Sequence, residues 1–249
     1  MYQSIYYDRS TYTYHLRDDE RGWLDFKYTP ELYQIVPNGP LETLDGKRAK
    51  PVDKYEWRDT SLYEQDVDKC TRVLIDLYKD SDEGPKQHNI VYFDIEIEMG
   101  GALTPEYIKS APMPFTSIAL RDITTKQYFC FIIDKSKEIK ETNQDGKHII
   151  PCASEKELAK RFLDKLEELD PTILVGYNSD YFDIPYLYHR MTQVVGIDEV
   201  SRLSPIRKVD QREFNGQSQI TIGGVNCLDY MLLHKKYIMK EEPSYKLGD

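Results

Sequence analysis

The run Asn89-Ile90-Val91-Tyr92-Phe93-Asp94-Ile95-Glu96-Ile97-Glu98 constrains this chain more than any other segment. It alternates apolar and acidic residues, and successive side chains of an extended strand point to opposite faces. Phe93, Ile95 and Ile97 therefore share one face, and Asp94, Glu96 and Glu98 share the other. Such a strand is stable only with its apolar face on a core. Two carboxylates two positions apart on its other face point the same way and can share a divalent cation. Taken alone, an acidic strand face is more often a solvated sheet surface, and Glu98 extends the stripe without an assigned task.

Composition narrows the partners. The 249 residues suffice for one large domain or two modest ones, and 40% hydrophobic with 31% charged residues describes an ordinary soluble globular protein. A net charge of −10 argues against a broad basic surface wrapping duplex DNA. A short single strand can instead be gripped by aromatics and a few polar groups, and the 20 tyrosines make that available, although most suit half-buried strand positions. The opening Met1-Tyr2-Gln3-Ser4-Ile5-Tyr6-Tyr7-Asp8-Arg9 has no signal-peptide character, and no apolar run reaches bilayer length. The expectation is a cytoplasmic protein with no membrane partner. Cys70, Cys130, Cys152 and Cys227 form no CxxC pair and the histidines are scattered, so neither a zinc motif nor a disulfide framework is indicated.

Extended runs over 4–8, 11–16, 23–28 and 32–36, separated by turns such as Asp18-Asp19-Glu20-Arg21-Gly22, predict a small antiparallel β module. Pro37-Asn38-Gly39-Pro40 breaks the pattern, and 62–80, with Val67, Val73, Leu74, Ile75, Leu77 and Tyr78, reads as a helix. The linker-like Ser81-Asp82-Glu83-Gly84-Pro85-Lys86 places a boundary near 87, giving domains 1–87 and 88–249. The second domain reads as α/β. Strands fall at 90–98, 115–122 and 127–133, and the Gly- and Pro-containing stretch 99–114 reads as loop. Ser154 caps a helix, Glu157 closes a capping box, and Leu158, Phe162, Leu163, Leu166 and Leu169 give it one apolar face. Asp170-Pro171 ends it, and the wholly apolar 172–175 reads as a central parallel strand. Asn215-Gly216 marks a hairpin between 205–213 and 218–222, and 228–237 reads as a helix.

The segment Gly176-Tyr177-Asn178-Ser179-Asp180-Tyr181-Phe182-Asp183-Ile184-Pro185-Tyr186 directly follows that strand. Ligand-binding groups of α/β sheets collect at the carboxyl ends of strands. Gly176 allows the turn, Asn178 offers a donor and an acceptor, and Asp183 enters the first turn of a helix. An acid there also suits the helix dipole, so a capping role is its plain alternative. Asp229, before an apolar helix, has the same alternative.

Together these segments resemble a known family. Phe93-Asp94-Ile95-Glu96 resembles the first motif, DxE, of proofreading 3′→5′ exonucleases. Tyr177-Asn178 with Phe182-Asp183 resembles the second, an aromatic-Asn-x3-Phe-Asp pattern. Order and spacing resemble family B DNA polymerases, particularly those of large myovirus-type phages. Phe26-Lys27-Tyr28-Thr29-Pro30-Glu31-Leu32-Tyr33, Leu203-Ser204-Pro205-Ile206-Arg207-Lys208, Cys227-Leu228-Asp229-Tyr230 and Pro243-Ser244-Tyr245-Lys246-Leu247 are similar to further segments of that family.

The resemblance implies an RNase H-like exonuclease domain, a mixed sheet with flanking helices, preceded by a small β-rich amino-terminal domain. It implies two Mg²⁺ (or Mn²⁺) ions, with Asp94 bridging both, Glu96 helping to hold the water-activating ion and Asp183 holding the second. Tyr177, Asn178 and Phe182 would contact the terminal nucleotides, and the 215–216 hairpin would help separate primer from template. Implied partners are a single-stranded DNA 3′ end, the remaining polymerase portion in cis or as a second polypeptide, and a sliding clamp through that portion. The implied location is the cytoplasm, the host's if the gene is a phage's. The family's third motif, Tyr-x3-Asp, is expected beyond Asp249, as are the polymerase domains, so the chain alone is expected to be inactive or nearly so. Tyr245 to Asp249 matches the spacing literally, but in the segment that precedes the third motif. The competing readings are a free-standing 3′→5′ exonuclease and a nucleic-acid-binding module with a dead nuclease.

Overall fold

A computed structural model describes residues 1–52, 61–84, 86–98, 100–238 and 244–245. The chain divides into two units, Met1–Lys86 and Gln87–Asp249.

In the first unit, β1 (Tyr2–Asp8), β2 (Thr13–Asp18) and β3 (Gly22–Phe26) form an antiparallel sheet. Every second residue of β2 is buried (Tyr14, Leu16 and Asp18), as a strand with one face on a core requires. A second antiparallel sheet has the order β5-β6-β4-β7, from β4 (Leu32–Ile35), β5 (Leu41–Glu42), β6 (Arg48–Val52) and β7 (Leu62–Tyr63). Helix α1 (Lys69–Tyr78) starts later than the sequence suggests. Leu62 and Tyr63 pair with Gln34 and Tyr33, and Asp68 sets the helix start by accepting from the amides of Cys70 and Thr71. Asp18, at the turn into β3, accepts from the Tyr78 hydroxyl at 2.7 Å and from the amides of Glu20 and Arg21 at 3.0 Å.

The second unit is mixed α/β. Its elements are β8 (Ile90–Ile97), α2 (Pro105–Ser110), β9 (Phe115–Asp122), β10 (Tyr128–Ile133), β11 (Thr142–Gln144), β12 (Lys147–Cys152), α3 (Glu155–Leu169), β13 (Ile173–Gly176), α4 (Asp183–Val194), α5 (Ile197–Val200), β14 (Val209–Phe214), β15 (Gln217–Ile222), β16 (Asn226–Asp229) and α6 (Tyr230–Tyr237). A seven-stranded mixed sheet runs β11-β12-β10-β9-β8-β13-β16. β8, β9 and β10 form an antiparallel meander, and β13 lies parallel to both β8 and β16. α3 packs on β9, β10 and β12, and α4 on β8. Phe93, Ile95, Phe131, Phe162, Leu163 and Leu187 belong to the shared core.

Three local readings need correction, and a further hairpin is added. The stretch 99–114 contains α2. Thr104 caps it, Pro105 opens it and Ala111 closes it in the left-handed region at φ 38°, so these breakers mark the helix ends. β11 and β12 join through Asp145-Gly146, both at positive φ (52° and 76°), the same two-residue hairpin chemistry as Asn215-Gly216 (51° and 75°). Residues 226–229 form the short parallel strand β16, so the last helix starts at Tyr230. Ser154 caps α3 through the Glu157 amide, but the Glu157 carboxylate reaches back to the Ala153 amide at 2.9 Å, one residue beyond the capping-box partner.

Among the described residues no helix is long and apolar enough to cross a membrane.

Candidate functional site

Burial along β8 alternates as its sequence does: Val91, Phe93 and Ile95 are buried, while Tyr92, Asp94, Glu96 and Glu98 are exposed. Asp94 and Glu96 therefore stand on one face of the strand. β13 pairs with β8 as far as Val175 opposite Tyr92. Three residues further along β8, the Ile95 amide donates to Asp183 Oδ1 at 3.3 Å. Asp183, the first residue of α4 and only 4% exposed, is thus held at the carboxyl end of β13 beside the acidic strand.

The turn between β13 and α4 explains this placement. Gly176 is needed for close approach: a Cβ there would overlap the Ser179 side chain and lie 2.9 Å from Phe93 Cε1. Asn178 takes φ 58°, a conformation in which asparagine is tolerated better than most residues. Its carbonyl accepts from the amides of Tyr181 and Phe182 at 3.2 and 3.0 Å, and the Ser179 carbonyl accepts from Ile184 at 2.9 Å. The chain thereby enters α4 with no side-chain cap, leaving the Asp183 carboxylate directed at β8.

Electrostatics sets this site apart. Burial pushes the Asp183 carboxyl up to about 7; the charge of Asp94 raises it too, the Ile95 amide pulls it down, and the charge of Asp229 adds the smallest push. Asp94 is also raised, first by partial desolvation of its carboxyl, although the residue as a whole is exposed, and then by the charge of Glu96. Among the described residues no lysine, arginine or histidine forms an ion pair with Asp94, Glu96 or Asp183. Coupled carboxylates of this kind offer only hard oxygen donors, which suit Mg²⁺ or Mn²⁺ with water filling much of the shell. They do not form a cage: among the described residues no group of three or more His, Cys, Asp or Glu stands together as a metal cluster. Asp183 is coupled to Asp94, and Asp94 to Glu96.

The other expected contact residues lie on the same turn in different settings. Tyr177 is half-buried, donates its hydroxyl to the Tyr245 carbonyl, and places its ring 6.5 Å from that of Tyr230. Asn178 is half-buried. Phe182 packs at the core margin, 5.5 Å from the Tyr186 ring, so only part of it faces outward. Asp249 and residues 243, 246 and 247 lie outside the described residues.

Spacing alone did not reveal the supports of this site. Arg190 on α4 grips Glu155 with two bonds (2.8 and 2.6 Å) and donates to the carbonyls of Ala111 and Pro112. The Tyr186 hydroxyl donates to the Met113 carbonyl and accepts from its amide. These contacts fasten the segment before β9 to α4. Their only sequence signal is a set of polar groups on an otherwise apolar helix. His189, also on α4, bonds Ser218 of the β14–β15 hairpin at 3.0 Å.

The model for "DNA polymerase family B, exonuclease domain" matches residues 52–249. The DNA-directed DNA polymerase of Escherichia phage RB69 is 38% identical over 102 residues, 39% of this chain and 11% of that protein. The corresponding enzyme of Enterobacteria phage T4 is 30% identical over 102 residues, with the same shares of 39% and 11%. The DNA polymerase of Pyrococcus glycovorans is 31% identical over 129 residues, 52% of this chain and 15% of that protein. The matched regions thus span between a tenth and a sixth of these relatives. The chain belongs to the family B DNA polymerases and carries their exonuclease domain.

Proposed function

We propose that Gln87–Asp249 is an RNase H-like 3′→5′ exonuclease domain that hydrolyses the terminal phosphodiester of a single-stranded DNA 3′ end, as the proofreading part of a polymerase. Met1–Lys86 is read as that polymerase's amino-terminal domain, and the remaining polymerase portion, in cis or as a second polypeptide, as its partner. The expected setting is the cytoplasm. The observation that carries the reading is the buried Asp183, raised to about 7 beside Asp94, at the carboxyl end of a parallel strand. The order β10-β9-β8-β13-β16, an antiparallel meander followed by two strands parallel to the first, supports the RNase H-like assignment.

Asp94, Glu96 and Asp183 would hold the divalent ions. When bound, such ions supply Lewis-acid chemistry, lowering the pKa of a water and stabilising the leaving oxygen. Asp183, fixed by the Ile95 amide, and Asp94, fixed by the strand, set where the scissile phosphate can lie. Tyr177 and Phe182 offer ring faces for terminal bases, and Asn178 a donor and acceptor for the sugar-phosphate.

Mn²⁺ binding to the whole chain, followed by the electron paramagnetic resonance of free Mn²⁺, tests the reading. Asp94→Ala and Asp183→Ala should each weaken binding about tenfold or more. Any release of nucleotides from a 3′-labelled single strand should disappear in both. Unchanged Mn²⁺ affinity in both variants would reject the assignment.

A further inference from the structure

We propose that Asp229 is a positioning residue: its carboxylate, shared between the start of α6 and the turn 177–182, fixes the backbone that presents Asn178 and Asp183. The proposal rests on the metal-site reading of Asp183 for its functional meaning, but its geometry is independent of that reading.

Asp229 ends β16 opposite Gly176, the end of β13, so two adjacent parallel strands stop at the same level. As the residue before α6 it does what any good cap does, with Oδ1 accepting from the amides of Met231 at 2.9 Å and Leu232 at 3.4 Å. Serine, threonine or asparagine would serve equally for that task. The same carboxylate also takes two amides from the neighbouring turn: Asn178 to Oδ1 at 2.9 Å and Asp180 to Oδ2 at 3.3 Å. Oδ1 therefore bonds both elements at once, and Oδ2 adds a further bond to the turn.

The turn needs such an anchor. Asn178 stands at φ 58°, a region disfavoured for a residue with a Cβ, and the anchored N–H is its own. From there the restraint passes forward, because the Asn178 carbonyl accepts from Tyr181 and Phe182 and the Ser179 carbonyl accepts from Ile184. Asp183 lies between these bonded residues. Asp229 is itself only 4% exposed, so its hydrogen bonds to the turn are not shared with bulk water, and charge-assisted bonds of this kind are the strong ones. Sequence reading could see the cap but not the second element it holds.

Two substitutions separate the roles. Asp229→Ser retains a cap for α6 but is too short to reach the turn as well; Asp229→Asn keeps Oδ1, and with it the bonds from Asn178 and Met231, and loses only the acceptor for Asp180. Hydrogen exchange of the full chain should show Asp229→Ser speeding exchange across 177–184 about tenfold or more, while 230–237 stays within about twofold of the parent. Asp229→Asn should restore most of the protection. Mn²⁺ affinity should fall about tenfold in Asp229→Ser and recover in Asp229→Asn. Unchanged exchange at 177–184 in Asp229→Ser, or equal loosening of both segments, would overturn the brace and leave a cap alone. A loosened turn with full Mn²⁺ affinity would overturn the positioning role. If the parent chain binds Mn²⁺ no better than Asp94→Ala, the metal reading has failed, and the exchange result alone decides the brace.

Discussion

Asp18 in the first unit and Asp183 in the second are both buried aspartates, at 3% and 4% exposure, yet their surroundings treat them in opposite ways. Burial raises both. For Asp18, the Tyr78 hydroxyl, the amides of Arg21 and Glu20 and the terminal ammonium outweigh burial and hold the carboxyl at about 2. For Asp183, the charge of Asp94 adds to burial, the Ile95 amide is too weak an offset, and the carboxyl rises to about 7. The fold around Asp18 is organised to solvate a negative charge. The fold around Asp183 concentrates negative charge, which is unfavourable for stability and useful for attracting a cation. Burial alone therefore does not separate a carboxylate whose charge is satisfied from one whose charge is opposed; the groups around it do.

The largest effect should come from Asp18→Ala, which leaves the Tyr78 hydroxyl and two amides without their acceptor. A loss of about 2–4 kcal/mol is expected. Trp23 and Trp57 both belong to Met1–Lys86, so tryptophan fluorescence during urea unfolding reads this unit. A change below about 0.5 kcal/mol would erase the contrast.

Asp183→Asn should act in the opposite direction, stabilising Gln87–Asp249 on the order of 1–2 kcal/mol in EDTA at pH 8, as measured by hydrogen exchange. On the proposed metal reading, the parent should be stabilised by Mn²⁺ and Asp183→Asn should not. The pH dependences follow with their signs. Asp183 has a folded value near 7 against an ordinary 3.8, so between these limits the native state holds the extra proton. Its contribution is present below about 4 and is lost as pH rises towards 7. Asp18, lowered to about 2, contributes stability above its ordinary 3.8 and loses it as pH falls towards 2. Metal-free protein should show opposite slopes in the two units, and Asp183→Asn should flatten only the second. The smallest effect is expected from Tyr78→Phe: about 1 kcal/mol lost, with the acid limb of the first unit shifted upward.

Features that repeat locally were legible in the sequence. The alternation along β8, the Ser154 cap and the Asn215-Gly216 hairpin each depend on residues close together in the chain, and the structure reproduces all three. Asp145-Gly146 carried the same hairpin signal, but the strand before it, Thr142–Gln144, is wholly polar and short, and the one after it, Lys147–Cys152, is interrupted by Pro151 and has no regular apolar alternation in its sequence. β16 was hidden because four residues running straight into a helix carry too little periodicity. Tertiary partners were not legible at all: nothing near Asp18 announces Tyr78, and nothing near Asp229 announces the amides of Asn178 and Asp180. At the site, the type and spacing of Asp94, Glu96 and Asp183 were visible, whereas the coupling of Asp183 to Asp94 required the parallel pairing of β8 and β13.

That pairing also sets a timetable. β8, β9 and β10 follow one another along the chain, joined by 98–114, which holds α2, and by the short 123–127, whereas β13 must return to β8 after β9–β12 and α3 have intervened. Long-range parallel pairing carries the larger loop-closure cost and is slow to form. The strand bearing Asp94 and Glu96 therefore settles before Asp183 reaches it, and pulse-labelled exchange should protect amides of β9 and β10 ahead of Leu174 and Val175. On a ribosome the order is the same, since residues 90–97 emerge well before 183. A partly made chain would hold a finished acidic strand and no buried aspartate to couple with it, so the charge crowding at the site arises only when the sheet is nearly complete.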